Sequence, residues 1–351
     1  MPEPLLRVED LRTYFATEEG VVRAVDGISF EMYPGERRGV VGESGSGKSV
    51  TAMSIMRLIE PPAGNIVTGQ IVFQGTNLLE LPEDEMQRIR GGKIAMIFQD
   101  PMTALNPVYT IGDQLMETIM LHQKVGRAEA REIAIKALED VQIPNAEQRL
   151  GDYPHQFSGG MRQRVMIAMG LSCNPDLLIA DEPTTALDVT TQAQIMDLML
   201  NLAEERGTAV MLITHDLGVV AGFCDTVQVM YAGGIVESGT ADDIFHNPQH
   251  PYTWGLLASM TRLDDARKHR LHSIPGAPPS LIRLPEGCRF RPRCEFAVDV
   301  CRQILPVLSP VGDDGRLVAC HRAEELDLKT LEVDAASSPQ VDADPAEGVS
   351  A

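Results

Sequence analysis

Positive charge is scarce in this chain: 30 Lys and Arg stand against 50 Asp and Glu, a formal net charge of −20. Such a surface repels phosphate backbones and anionic headgroups, which argues against a general nucleic-acid binder. Long apolar runs are missing too. None approaches the roughly 18–20 residues that span a bilayer, and residues 1–10 lack a basic stretch followed by an apolar one. The expectation is a chain made and kept in the cytoplasm. Six cysteines in 351 residues are too few for a disulfide scaffold, and four of them crowd one C-terminal stretch, which in a reducing compartment points to metal. What is present, 44% hydrophobic and 23% charged residues, suits a soluble protein with core enough for two modest domains.

Short alternating runs at 5–11 and 25–33 read as half-buried antiparallel strands at the edge of a mixed sheet. Residues 38–41 form a buried-strand pattern that enters a glycine-rich turn, and 49–59 follow helical spacing up to Pro61 and Pro62. Later apolar runs at 94–98, 177–180 and 210–213 are separated by helix-length segments, which predicts parallel strands with crossover helices. The fold class expected is therefore α/β, with a phosphate-loop core. From about 111 to 173 helix formers dominate, as in a helical insert, and 227–239 returns to strand character. Beyond about 250 the composition shifts to Pro, Arg and Cys. Residues 332–351 hold Ala, Ser, Pro and Asp without an aromatic, the pattern of a disordered acidic tail. The expected divisions are 1–249, 250–331 and 332–351.

The run Gly42-Glu43-Ser44-Gly45-Ser46-Gly47-Lys48-Ser49 fits the phosphate-loop pattern, and Val50 continues it into the helix. Glycines let backbone N–H groups curl around phosphates at a helix start, Lys48 reaches the β- and γ-phosphates, and Ser49 ligates Mg²⁺. The apolar run at 177–180 delivers Asp181 and Glu182 to a strand end, where ligands sit in open α/β sheets. Asp181 would face Mg²⁺ and Glu182 would polarise a water for in-line attack on the γ-phosphate. Alone, such an acidic pair is more often a helix cap or a solvated turn; the phosphate loop upstream reverses the odds. Ser158, Gly159 and Gly160 at a helix start offer a second set of donors to an anion.

Phe157-Ser158-Gly159-Gly160-Met161-Arg162-Gln163-Arg164 resembles the signature sequence of ATP-binding cassette (ABC) ATPases, usually written LSGGQ, with Phe157 and Met161 departing from its Leu and Gln. The resemblance covers about 5–246 as one nucleotide-binding domain with an antiparallel β edge and a helical subdomain. It implies that Ser158, Gly159 and Gly160 contact nucleotide held by the opposite subunit. It also implies roles for Gln99 as the Q-loop residue near Mg²⁺ and the attacking water, for Thr185-Ala186-Leu187-Asp188 as the D-loop, and for His215 as the switch histidine at the γ-phosphate. An aromatic that stacks on adenine is expected near the N-terminus, with Phe15 the first candidate and Tyr14 the next.

Residues 97–107 and His250-Pro251-Tyr252-Thr253 are similar to the oligopeptide and dipeptide importer ATPases, in particular the D-type subunit. That resemblance implies a peripheral ATPase at the cytoplasmic face of the membrane. Its expected partners are a paralogous or identical ATPase, two permeases and an extracytoplasmic peptide-binding protein. The same subfamily includes importers of nickel and other small solutes. ABC ATPases of ribosomes or DNA form a different class, which usually shows two cassettes in one chain or long coiled-coil insertions, and neither is seen here.

Cys288, Cys294, Cys301 and Cys320 are separated by five, six and eighteen residues, with Arg289, Arg291, Arg293 and Arg302 interleaved. Four thiolates hold either an iron–sulfur cluster or tetrahedral Zn²⁺. The absence of close Cys-x-x-Cys pairs and the surrounding arginines favour [4Fe-4S], with Zn²⁺ or free thiols as alternatives. The resemblance agrees, since some D-type subunits carry a cluster in this extension and others have lost the cysteines. Cys173 and Cys224 read as core residues.

Overall fold

The computed structural model describes residues 3–184, 188–259, 273–312 and 315–328. The acidic tail expected at 332–351 lies outside them. Among the described residues twelve strands form two sheets: β1 (Leu6–Thr17), β2 (Gly20–Met32), β3 (Arg37–Val41), β4 (Gly64–Phe73), β5 (Thr76–Asn77), β6 (Ile94–Ile97), β7 (Leu177–Asp181), β8 (Ala209–Ile213), β9 (Thr226–Tyr231), β10 (Gly234–Thr240), β11 (Ser309–Pro310) and β12 (Leu317–Val318). The larger sheet runs β11-β12-β10-β9-β3-β8-β7-β6, and the smaller β2-β1-β4-β5. The five strands from β9 to β6 are parallel, with β3 pairing both β8 and β9.

The parallel strands are buried on both faces, and their side chains alternate between two cores. Leu177, Ile179, Ala209, Met211 and Ile213 pack with Leu6, Val8, Val25 and Ile71 of the smaller sheet and with Ala52 and Ile55 of the helix Lys48–Ile55. Leu178, Ala180, Val210 and Leu212 face the other way, towards the helices Ile111–Gln123, Arg127–Asp140, Gly159–Leu171 and Val189–Arg206. Those first three helices occupy the stretch expected to be a helical insert.

One expectation changes. The N-terminal strands are not the edge of the large sheet; β1 pairs with β2 on one side and with β4, which the apolar pattern did not reveal, on the other, in a separate antiparallel sheet. The strip at 227–239 has the strand character expected of it, as the antiparallel pair β9 and β10 turned at Ala232 and Gly233, both in left-handed backbone. The C-terminal extension is joined to the cassette through its core. Strand β12 pairs with β10, and Tyr252 (tilted) and Phe290 (edge-on) pack against Tyr231 at ring-centroid distances of 4.6 and 5.2 Å. Among the described residues no helix is long and apolar enough to cross a membrane.

Candidate nucleotide site

Strands β3, β6, β7 and β8 end at one edge of the sheet, so the residues following each of them meet. β3 runs directly into Gly42, whose φ is +150°; a Cβ there would lie 2.2 Å from the Met230 carbonyl oxygen. Gly47, at φ +107°, caps the helix Lys48–Ile55, and a Cβ on it would lie 2.3 Å from the Ala24 carbonyl oxygen. Only glycine fits either position. Lys48 is buried and curls back over the loop, its Nζ donating to the carbonyls of Gly42 (2.8 Å) and Glu43 (3.0 Å). Burial pushes its pKa down, against the opposing pull of Glu182, Asp181 and Glu43.

Ser49 Oγ donates to Asp181 Oδ1 at 2.9 Å. Burial raises the Asp181 pKa, the Ser49 hydrogen bond and Lys48 lower it, and Glu182 raises it further. Glu182 is in left-handed backbone, φ +47°, and its N–H donates to the Ile213 carbonyl, which ties the end of β7 to β8. Its carboxylate is held at both oxygens: Gln99 Nε2 donates to Oε2 at 3.0 Å, and His215 Nδ1 lies 3.4 Å from Oε1. Ser44, Gly45, Gly47, Lys48, Ser49, Val50, Gln99, Glu182 and His215 thus share one cavity of about 600 Å³, together with Ala24 and Leu281. The hydroxyl of Ser46 is buried in the loop without a hydrogen-bond partner. The Ser49 hydroxyl, which lines this cavity, and the Asp181 carboxylate it bonds are oxygen donors of the kind that Mg²⁺ takes.

Other expected residues stand apart from that cavity. Ser158 caps the helix Gly159–Leu171, its Oγ accepting the Met161 N–H, and Ser158 and Gly159 are exposed while Gly160 is half-buried. Asp188 caps the helix Val189–Arg206 through Thr191, whose hydrogen bonds hold its pKa down. Thr185, Ala186 and Leu187 lie outside the described residues. Phe15 is not among the cavity-lining residues; its ring closes against Gly64, where a Cβ would come within 2.6 Å of it. Tyr14 donates instead to Asp26 Oδ1 at 2.6 Å. Leu281, from the C-terminal extension, was missed by the motif pattern, because nothing local marks a leucine in a proline-rich stretch as a wall of a distant cavity.

Cys288, Cys294, Cys301 and Cys320 are free thiols around a second cavity, of about 10 Å³, which His250, Phe290 and Phe296 also line. That space holds about one water. Burial raises the thiol pKa of Cys288, of Cys294 to about 12 and of Cys320 to about 11. Among the described residues no three His, Cys, Asp or Glu form a group that could hold a metal ion. Four thiols are the donor type that a thiolate-held cluster takes, but the space between them as they stand does not admit one. Cys224 is buried and Cys173 half-buried.

Residues 25–185 match the family model described as ABC transporter, and residues 236–301 the one described as oligopeptide/dipeptide transporter, C-terminal region. The chain is 53% identical over 329 residues to the oligopeptide transport ATP-binding protein OppD of Salmonella typhimurium, covering 92% of this chain and 96% of that one. With OppD of Escherichia coli the identity is 52% over 325 residues, covering 92% and 94%. The dimeric structure of a post-hydrolysis state of the ATP-binding cassette MJ0796 bound to ADP and Pi superposes with a TM-score of 0.61 at 27% identity, covering 67% of this chain and 98% of that one.

Proposed function

This chain belongs to the ABC transporter family, in its oligopeptide/dipeptide branch, and on that premise we propose that it is the ATP-hydrolysing subunit of a peptide importer. The observation that carries the reading is the bracketed carboxylate of Glu182, held by Gln99 and His215 at the rim of the cavity that the phosphate loop floors. A carboxylate fixed at both oxygens is aimed, and one aimed beside a phosphate cradle takes the proton of an attacking water. Loop N–H groups between 44 and 49 and Lys48 bind the phosphates; binding requires Lys48 to leave the carbonyls of Gly42 and Glu43. Gln99 and His215 orient Glu182, and His215 also reaches the γ-phosphate. Ser49 and Asp181, with Gln99 beside them, would hold Mg²⁺, which supplies charge neutralisation to the triphosphate when bound.

The exposed helix start at Ser158, Gly159 and Gly160 suits an anion site completed by a second subunit, closing head to tail over the nucleotide. That subunit is a paralogous ATPase in our reading. Two permeases supply the membrane path, an extracytoplasmic binding protein supplies peptide, and this chain sits peripherally at the cytoplasmic face. The cysteine cavity is read as a [4Fe-4S] site held by Cys288, Cys294, Cys301 and Cys320. A cluster would cross-link the turns of this short C-terminal stretch, a structural role.

The test is Glu182→Gln beside Lys48→Ala in the purified transporter. Glu182→Gln should keep ATP binding and lose turnover by about a hundredfold or more. Lys48→Ala should weaken nucleotide binding itself. Normal turnover in the first variant would remove Glu182 as base, and parental ATP affinity in the second would remove the phosphate loop as the site.

A further inference from the structure

The phosphate loop is gripped from outside the cassette. Glu43, second residue of the loop, donates its backbone N–H to the hydroxyl of Tyr252 at 2.8 Å. Its carboxylate receives both terminal nitrogens of Arg293, at 2.6 and 2.9 Å, a fork-on-fork pair. Tyr252 is fully buried, and the Arg293 side chain is 4% exposed. The remaining Arg293 donor, Nε, goes to the Pro275 carbonyl at 2.9 Å, and the guanidinium lies over the Tyr231 ring. A second arm runs through Arg289, which pairs with buried Asp26 at 2.6 Å and donates to the Ala232 carbonyl. The neighbouring Gly233 bridges Asp26 and the loop, accepting from the Asp26 N–H and donating to the Ser46 carbonyl. Leu281 of the same extension lines the nucleotide cavity, and its carbonyl accepts the Arg23 N–H at 3.1 Å.

Two physical consequences meet at Glu43. Its backbone carbonyl is one of the acceptors that hold Lys48, so wherever Glu43 is fixed, the loop and its lysine are fixed with it. Its carboxylate is a negative charge in a loop that must accept a triphosphate. Unpaired, that charge would repel the ligand across a partly buried, weakly screened gap. Paired with Arg293, it is neutralised and used as a handle.

We propose that the C-terminal extension is a working part of the nucleotide site, with Arg293 as a positioning residue that holds and neutralises Glu43 so that the phosphate loop is set before ATP arrives. This rests on the nucleotide reading above. The one cation in the loop, Lys48, is turned to the carbonyls of Gly42 and Glu43, and the fork on the Glu43 carboxylate comes from Arg293, far beyond the ATP-binding motifs, so the dependence is a property of this chain's extension.

The experiment is equilibrium titration with Mg-ATP of the full chain in its transporter, using Arg293→Met, the double variant Arg293→Met/Glu43→Gln, and Lys48→Ala as reference, each with its nucleotide-free melting temperature. Arg293→Met should raise the Kd for Mg-ATP by about tenfold. The double variant should recover most of that loss, because the uncompensated carboxylate goes with its partner. A purely architectural arginine would lower the melting temperature and leave the Kd of the folded protein at the parental value, which would overturn the proposal. Equal weakening in the single and double variants would overturn the neutralising role. Should Arg293→Met not fold, Arg293→Lys keeps the charge and loses the fork; an intermediate Kd supports the proposal, and a parental Kd overturns it. If Lys48→Ala also binds like the parent, the nucleotide reading fails, a result distinct from failure of the clamp alone.

Discussion

Replacing Gly47 by alanine should damage the phosphate loop far more than the same change at Gly45, although both residues have positive φ. Gly45 is at φ +77°, and a Cβ there meets nothing within 4 Å. The cost is then that of a left-handed alanine alone, about 1–2 kcal/mol. Gly47 is at φ +107°, and its Cβ would lie 2.3 Å from the Ala24 carbonyl oxygen, a backbone atom of β2 that has no rotamer to escape into. The same conformational cost is joined by a clash that only backbone movement relieves, about 1–3 kcal/mol more, for a total of about 2–5 kcal/mol. At about 1–2 °C per kcal/mol for a chain of 351 residues, Gly45→Ala should lower the melting temperature by about 1–4 °C and Gly47→Ala by about 2–10 °C. Movement at Gly47 also turns the first N–H groups of the helix Lys48–Ile55 away from the cavity, so Mg-ATP affinity should fall further than stability does. The assay is thermal unfolding of the nucleotide-free protein with a parallel Mg-ATP titration. Equal losses in the two variants would refute the assignment of the clash at Gly47.

Asp181→Asn should stabilise the nucleotide-free protein by a few degrees while removing Mg²⁺-dependent turnover: burial raises the Asp181 pKa, so its charge costs folding energy, and Asn keeps the acceptor for Ser49. A lower melting temperature would contradict this. Acid should loosen the extension through His250, which is fully buried, accepts the Tyr252 N–H at Nδ1, and has its pKa pushed down to about 3 from 6.5 by burial. The unfolded chain takes up that proton as pH falls below about 6.5 and the folded chain does not, so this stabilisation is complete above 6.5 and shrinks by about 2 kcal/mol between pH 7 and 5. Buried Glu237, whose pKa burial raises, acts in the opposite sense, so the measured quantity is the difference from His250→Asn. Urea unfolding followed by the fluorescence of Trp254, the single tryptophan, reads it directly; identical pH dependence in parent and variant would rule it out. Anaerobically purified protein should contain about four iron and four acid-labile sulfide per chain, lost in Cys294→Ser; zinc, or no metal, would discard the cluster.

Most of the cassette could be read along the chain because its signals are local. A glycine-rich run after a buried strand, an acidic pair at a strand end and a Ser-Gly-Gly helix start each carry their geometry in a few adjacent residues. The parallel core was legible too, since 177–180 and 210–213 are apolar without alternation, as strands buried on both faces must be. The N-terminal sheet was not: whether 5–11 and 25–33 join the large sheet or form their own depends on β4, a partner some 60 residues away whose polar positions hide its strand. The aromatic candidates illustrate the same limit. Tyr14 and Phe15 are adjacent, and only the packing of β1 against β2 and β4 sends one to Asp26 and the other to Gly64.

By itself the sequence determined the chemistry available: which groups could cradle phosphate, ligate a metal or accept a proton, because residue type and near-neighbour spacing set those properties. Tertiary structure alone decided which of them share a cavity and which distant residues serve them. Arg293 reaches Glu43 across 250 positions, and Gln99 meets Glu182 across 83, because parallel strands end at one edge and a buried charge must find its partner wherever the chain folds back.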